Sequence, residues 1–156
     1  MTEDARFEDG REAPLNLGAL DADDLQVLSS LAQDAVFAIT DMTWRAAERR
    51  FAVLLNRFRW EDDGRGRHDP ERVRSILAFD NVLRVASQGI ERSDKDMILS
   101  LLAIEFEPDE DGAGHLLLTL AGDGAIRLEV EALEVTLKDV TRPYRAPSKR
   151  VPEHKP

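Results

Sequence analysis

The stretch from Val36 to Trp60 constrains the fold of this chain more than any other. Apolar and polar side chains alternate through residues 36–44, a polar break follows at residues 46–49, and the alternation resumes through residues 50–60. Aromatic and β-branched residues at this spacing suit a pleated, half-buried surface. The stretch therefore predicts two β-strands joined by a short turn. It also contains both tryptophans of the chain, Trp44 and Trp60.

Most of the remaining chain also has strand character. Residues 97–107 are apolar on both faces, which predicts a central, fully buried strand. Asp80-Asn81 and Gly122-Asp123-Gly124 have the composition of tight turns. About seven strands with short connections imply an antiparallel meander that forms a strongly curved sheet or a small barrel. The other predicted strands cover residues 72–79, 82–90, 115–121 and 126–137, the last with a β-bulge after Ala132.

One helix precedes the strands, at about residues 22–33. Asp21 is a good N-cap, and Leu25, Leu28 and Leu31 form an apolar stripe at helical spacing. We expect this stripe to pack on the sheet, because amphipathic helices normally bury their apolar face. The predicted fold class is mainly β, on the borderline with α+β.

Residues 130–140 also allow a different interpretation. Val130, Leu133, Leu137 and Val140 fit a helical stripe as well as a strand. Val135 and Thr136 favour the strand, because β-branched residues prefer extended backbone. If the segment is a helix, strands followed by a closing helix resemble a pleckstrin-homology-like barrel.

Composition sets the domain organisation and excludes several function classes. We predict a flexible leader at residues 1–14, a single globular domain at 15–141 and a basic, proline-rich tail at 142–156. The net charge of −10 argues against nucleic acid and anionic membranes as partners. The chain has no cysteine, and its acidic start is not a signal peptide, so we expect a cytoplasmic location.

Three segments are informative as a set: Asp41–Trp44 leading into Glu48–Trp60, Phe79–Val82, and Leu133–Val140. Together they resemble a small bacterial family catalogued as domain of unknown function 2948. The likeness covers about Leu15 to Tyr144. It implies a single domain in a bacterial cytoplasm, and it implies no catalytic residue because the family has no established activity.

The sequence contains no recognisable catalytic or cofactor-binding motif. His68, His115 and His154 lack the spacing of metal ligands, and no nucleotide-binding glycine loop or nucleophile motif is present. We therefore predict no metal and no cofactor, and the sequence favours a protein that is not an enzyme.

Cationic and aromatic side chains converge at Arg57, Arg59 and Trp60, near the end of the second predicted strand. Arginine forks bind carboxylates and phosphates, and tryptophan offers a stacking surface, so these residues are binding candidates. The alternative is that the arginines pair with the many acids of the chain. Asp41 and Asp80 lie in or beside apolar runs, where a carboxylate either acts as an acid or base or bonds backbone amides at a turn.

These observations favour an uncharacterised binding or accessory module that acts through protein contacts. The alternative is a barrel that binds a small anionic ligand, or an enzyme, with Arg57, Arg59, Trp60, Asp41 and Asp80 in its site.

Overall fold

The described residues form one α-helix and eleven β-strands, and all these strands belong to one sheet. The structure is a computed structural model that describes residues 14–59, 71–142 and 144–145. In chain order the elements are β1 (Asn16–Ala19), α1 (Ala22–Ala32), β2 (Val36–Ala38), β3 (Met42–Arg45), β4 (Arg50–Phe58), β5 (Glu71–Phe79), β6 (Val82–Gln88), β7 (Ile98–Pro108), β8 (Gly114–Leu120), β9 (Ala125–Val130), β10 (Val135–Asp139) and β11 (Tyr144–Arg145).

The predicted leader and tail fall largely outside the described residues. Of the tail range, the structure describes Arg142 and the short strand β11, which pairs with β5. Of the leader range it describes Pro14. Both segments therefore stay predictions.

Every strand pair is antiparallel, and the hydrogen-bonded order is β1-β10-β5-β4-β2-β7-β8-β9-β6. β3 pairs with β4, and β11 with β5, beside this path. The mainly β fold with an N-terminal helix is thus confirmed. Within the described residues the sheet is open, because β1 and β6 end the path. Of the two predicted forms, the curved sheet is therefore correct and the small barrel is not.

Two short connections show that the sheet curls strongly. β5 is third in the path and β6 is last, but only Asp80 and Asn81 separate them in the chain. Residues 131–134 connect β9 to β10 in the same way, across most of the path. Neighbouring strands lie about 4.8 Å apart, so two or four residues cannot span a flat sheet of this width. The two halves of the sheet must face each other.

A single hydrophobic core fills the space between the halves. Phe51 and Leu77 from one half, Leu118 and Leu128 from the other, and Leu28 of α1 are all buried in it. The helix begins at the predicted N-cap, where Asp21 Oδ1 accepts a hydrogen bond of 2.8 Å from the Asp24 N–H. The helix packs on the sheet, as the sequence predicts, and its main contacts are with β7 and β1.

The first predicted strand is in fact two strands, β2 and β3, and this part of the prediction was wrong. A 3-10 turn at Ile39–Asp41 separates them. The reason is local: Asp41 Oδ2 accepts a hydrogen bond of 2.8 Å from the Ala38 N–H, which holds the chain in a turn. The alternating pattern continues through the turn, so it conceals the break.

Residues 126–137 also differ from the prediction. They form β9 and β10, joined by a turn at residues 131–134, and not one bulged strand. Residues 135–139 are a strand that pairs with β5, which rules out the alternative helix and the pleckstrin-homology-like barrel. The change of apolar phase near Ala132 therefore marks a crossing between the two halves of the sheet.

β7 is central, as predicted, but it is not buried on both faces. Leu99 and Leu101 point into the core, whereas Ile98 is 64% exposed. The pairing of β7 with β8 shifts between Leu101 and Ala103, so the inward positions change from odd to even and Ile104 is buried next. This irregularity explains why the strand appears apolar on both faces in the sequence.

Candidate functional site

Arg57 is fully buried and forms an ion pair with Asp139 inside the sheet. The two residues lie on β4 and β10, and Ser75 lies between them on β5. Arg57 Nη2 donates to Asp139 Oδ1 at 2.9 Å and to Oδ2 at 3.2 Å. Ser75 Oγ donates to Asp139 Oδ1 at 2.6 Å and accepts from Arg57 Nε at 3.0 Å.

Backbone groups complete this buried network. The Leu15 N–H donates to Asp139 Oδ2 at 2.8 Å, and Arg57 Nη1 donates to the Phe58 carbonyl at 3.1 Å. A buried ion pair is tolerated when its remaining donors and acceptors also form hydrogen bonds. The network links three neighbouring strands and the segment before β1, so its geometry is that of a structural connection.

Arg59 also pairs with a carboxylate. Its Nη1 lies 2.6 Å from Glu71 Oε1, and its backbone N–H donates to the Glu71 carbonyl at 3.1 Å. Arg72 stacks on the Phe58 ring, with Cζ 3.9 Å from the ring centroid. Trp60, the third predicted binding residue here, lies outside the described residues.

Asp41 and Asp80 lie elsewhere in the fold. Asp80 follows β5 and faces Arg50 at 3.7 Å, at the opposite end of β4 from Arg57. Arg57 lies seven positions after Arg50 on the same extended strand, a distance of about 23 Å. The structure therefore brings Arg57 and Arg59 to one end of β4, and Asp80 lies at the other end.

Asp41 lines a small cleft on the outer face of the sheet. The cleft has a volume of about 160 Å³ and lies where β2 leaves β4. Leu54 and Ile98 supply apolar walls, and Asn56 and Arg74 supply polar ones. One carboxylate oxygen of Asp41 accepts a hydrogen bond from the Ala38 backbone N–H, so this side chain stabilises the turn between β2 and β3.

Next to the cleft is an exposed apolar area that we call the outer patch. It consists of Leu54, Ile76, Ile98 and Val140, bordered by Arg74 and Lys138. Ile76 is directly opposite Leu54 on one side and Lys138 on the other. The Val140 N–H bonds the Arg74 carbonyl, so these two residues are also neighbours. Arg74 and Lys138 form no ion pair among the residues that the structure describes.

Sequence reasoning missed Ser75, Asp139 and Arg74. A signal for Asp139 was present: Val135, Leu137 and Asp139 alternate, which places the carboxylate on the same inward face as two core residues. Arg57 follows Val53 and Leu55 in the same way. Two opposite charges on inward faces of different strands indicate a buried pair. Arg74 has no comparable signal, because an arginine on the exposed face of a strand is common.

The described part of the chain contains no group of three His, Cys, Asp or Glu side chains that could bind a metal ion. It also contains no helix with the length and apolarity to cross a bilayer. His115 lies on β8, and His68 and His154 are outside the described ranges.

Comparison with known proteins identifies a family and nothing more specific. No curated protein and no solved structure matches the chain. One family model, described as Protein of unknown function (DUF2948), matches residues 15–154, which is all of the predicted domain and most of the predicted tail. The resemblance stated from three short segments is thus confirmed over 15–154, and the chain belongs to the DUF2948 family.

Proposed function

We propose that this protein is a non-enzymatic binding or accessory module that acts through protein contacts. The observation that carries the proposal is the outer patch. Ile76, Ile98 and Val140 are 38%, 64% and 45% exposed. Ile76 and Ile98 lie on strands of a sheet whose other face is a filled core, and Val140 directly follows β10. Contiguous exposed apolar residues with a polar border are typical of protein interaction surfaces.

The charge around the patch indicates what kind of partner would fit. Arg74 and Lys138 lie beside the apolar centre, while the chain as a whole has a net charge of −10. A partner with an apolar centre and an acidic border would be attracted to the patch and repelled by most other surfaces. Nucleic acid and anionic membranes, repelled by the same net charge, are not proposed as partners.

The cleft beside Asp41 adds shape to this surface. Its volume of about 160 Å³ suits one apolar side chain of a partner, with Leu54 and Ile98 as walls. Interfaces commonly anchor on one such side chain in a pocket. A bacterial cytoplasmic setting is part of the proposal, and the lack of cysteine is compatible with a reducing compartment.

The alternative, a small anionic ligand bound by Arg57, Arg59 and Trp60 with Asp41 or Asp80, has less support. Arg57 and Arg59 already pair with carboxylates, Asp80 pairs with Arg50 at the other end of β4, and Asp41 bonds the Ala38 backbone.

Site-specific photo-crosslinking tests the proposal. A photoreactive residue replaces Ile76 in the outer patch, and the matched control replaces Leu83 on β6, which is similarly exposed at 44%. In cells of the native host we expect a defined protein adduct from position 76 that is absent from position 83. Ile76→Glu, as a second variant, should reduce capture of the same protein without lowering the midpoint of thermal unfolding. Adducts that are identical at both positions, or adducts of the chain with itself alone, would contradict the proposal.

A further inference from the structure

A groove lies between two strands that each leave one edge unpaired. Within the described residues β3 pairs with β4 alone, and β6 pairs with β9 alone. One end of the gap is closed, because the Val82 N–H donates a hydrogen bond of 2.8 Å to the Arg49 carbonyl. A groove with a volume of about 250 Å³ is lined by residues of both strands.

Most of the groove surface is apolar. Met42 and Trp44 form the wall from β3, and Val85 and Ile90 form the wall from β6 and the segment after it. The core residues Phe51 and Ile126 also line the groove. Trp44 is 37% exposed, which leaves a large aromatic surface in contact with water. Covering such a surface is favourable at about 25 cal/mol per Å² of apolar area.

A cation and a hydroxyl group meet at the same groove. Arg92 is the only charged residue among those that line it in the described chain, and its Nη2 donates to Ser87 Oγ at 3.0 Å. Arg92 forms no ion pair with any described residue, whereas Arg84 on β6 pairs with Glu129. The Ser87 contact holds the guanidinium at the groove, so its remaining N–H groups can bind an anion.

We propose that this groove binds a small apolar monocarboxylate. The apolar body lies between Trp44 and Val85, and the carboxylate accepts hydrogen bonds from Arg92 and Ser87. An apolar cavity of about 150 Å³ holds benzene, so a groove of about 250 Å³ accommodates a somewhat larger body. This volume is below the roughly 300–1,000 Å³ of sites for drug-sized ligands, which favours a short chain or a single ring.

The site is distinct from the outer patch, and it differs from the arginine site considered in the sequence. It uses neither Arg57 nor Arg59, and its cation lies on the segment that follows β6. A ligand there would also connect the two unpaired strand edges. The groove can therefore be tested without any assumption about a protein partner.

Fluorescence of Trp44 provides a direct measurement. The chain has two tryptophans, so Trp60→Phe leaves Trp44 as the only one. The full-length Trp60→Phe protein is titrated with octanoate, with 1-octanol as a neutral ligand of the same apolar body, and with acetate as the same anion without that body. We expect saturable changes with octanoate, a weaker Kd for octanol, and no saturation with acetate.

Substitutions separate the contributions of charge and apolar contact. Arg92→Gln should raise the Kd of octanoate about tenfold and leave that of octanol unchanged, because it removes only a charge-assisted hydrogen bond. Val85→Ser should weaken both ligands. Arg84→Gln is the matched control on β6 and should change neither, since Arg84 pairs with Glu129 and does not line the groove.

Three results would overturn the proposal. They are an unsaturated Trp44 signal up to the solubility limit of octanoate, an Arg92→Gln variant that binds octanoate as tightly as the parent, and octanol binding as tightly as octanoate. Sedimentation of the same samples identifies a competing occupant. If octanoate dissociates a dimer, the groove is occupied by a second copy of the chain and not by a small ligand.

Discussion

Single residues show how strongly burial changes the role of a charged side chain. Arg57 is a binding candidate when its sequence neighbours Phe58 and Trp60 are considered. In the structure it is 0% exposed and bound to Asp139 and Ser75. The alternation of Val53, Leu55 and Arg57 contains the signal that Arg57 lies on the inward face of its strand. It does not identify the partner, because Asp139 is 82 residues away in the chain.

The Arg57–Asp139 pair makes a specific prediction for stability. Asp139→Leu leaves the buried guanidinium without its carboxylate, so we expect the free energy of unfolding to fall by about 3–5 kcal/mol. The double variant Arg57→Met, Asp139→Leu removes both charges and should be less destabilised than the sum of the two single variants, with a coupling energy of about 1–3 kcal/mol. Urea unfolding of all four proteins measures this cycle.

The exposed pair Arg84–Glu129 is the control for that experiment. Its side chains are 79% and 42% exposed, so Glu129→Gln should cost less than about 1 kcal/mol. Additive effects of the Arg57 and Asp139 substitutions would show that the two charges do not depend on each other, and the structural assignment would then fail.

Asp41 gives a second prediction at this scale. Its carboxylate accepts the Ala38 N–H and maintains the turn between β2 and β3. Asp41→Ala should lower the free energy of unfolding by about 1–2 kcal/mol, because it removes a hydrogen bond to a charged acceptor. Asp41→Asn retains an acceptor oxygen and should lose less. Equal losses for Ala and Asn in urea unfolding would show that the side-chain oxygen is not what holds the turn.

Among the elements, strands that alternate regularly were predicted well, and breaks inside an alternating run were not. Residues 72–79 were predicted as a strand, and the alternating residues Val73, Ser75, Leu77 and Phe79 are all buried on β5. The 3-10 turn at Ile39–Asp41 keeps the alternating pattern, so no periodicity reveals it. The turn at residues 131–134 is also short. It differs from a β-bulge because the strands on its two sides pair with different partners, β9 with β8 and β10 with β5.

The junction of β7 and β8 makes a prediction for a backbone position. Gly114 pairs with Pro108, and a Cβ placed there would lie 2.3 Å from the Glu107 carbonyl oxygen and 2.8 Å from the Phe106 ring. Gly114→Ala should therefore displace the strands and lower the free energy of unfolding by about 1–3 kcal/mol.

Gly18 is the matched control, because it also lies in a strand and a Cβ there would have its nearest neighbour at 3.9 Å. Gly18→Ala should change the free energy of unfolding by less than about 0.5 kcal/mol. Thermal and urea unfolding of the two variants provide the comparison. Equal effects of the two substitutions would mean that the close approach at Gly114 does not constrain the strands.

On the scale of the whole molecule, the class of fold followed from the sequence, but the path of the sheet did not. Alternation identifies strands and their faces, while strand order depends on contacts between distant segments. β2, of only three residues, joins the two halves by pairing with both β4 and β7. Such a short strand gives little signal in a sequence, although here it determines how the halves are arranged.

The curled sheet leads to a last prediction about cooperativity. The halves share one core, and the connections Asp80-Asn81 and residues 131–134 cross directly between them. Neither half can lose its packing without exposing the core of the other, so we expect a single two-state unfolding transition. In the Trp60→Phe protein, urea midpoints from Trp44 fluorescence, which reports on β3, and from far-UV circular dichroism, which reports on the whole sheet, should coincide. A fluorescence transition at clearly lower urea would mean that β3 and the groove beside it unfold separately. Such local opening would also explain ligand binding at the groove by ordering of β3, so it would change how the octanoate titration is interpreted.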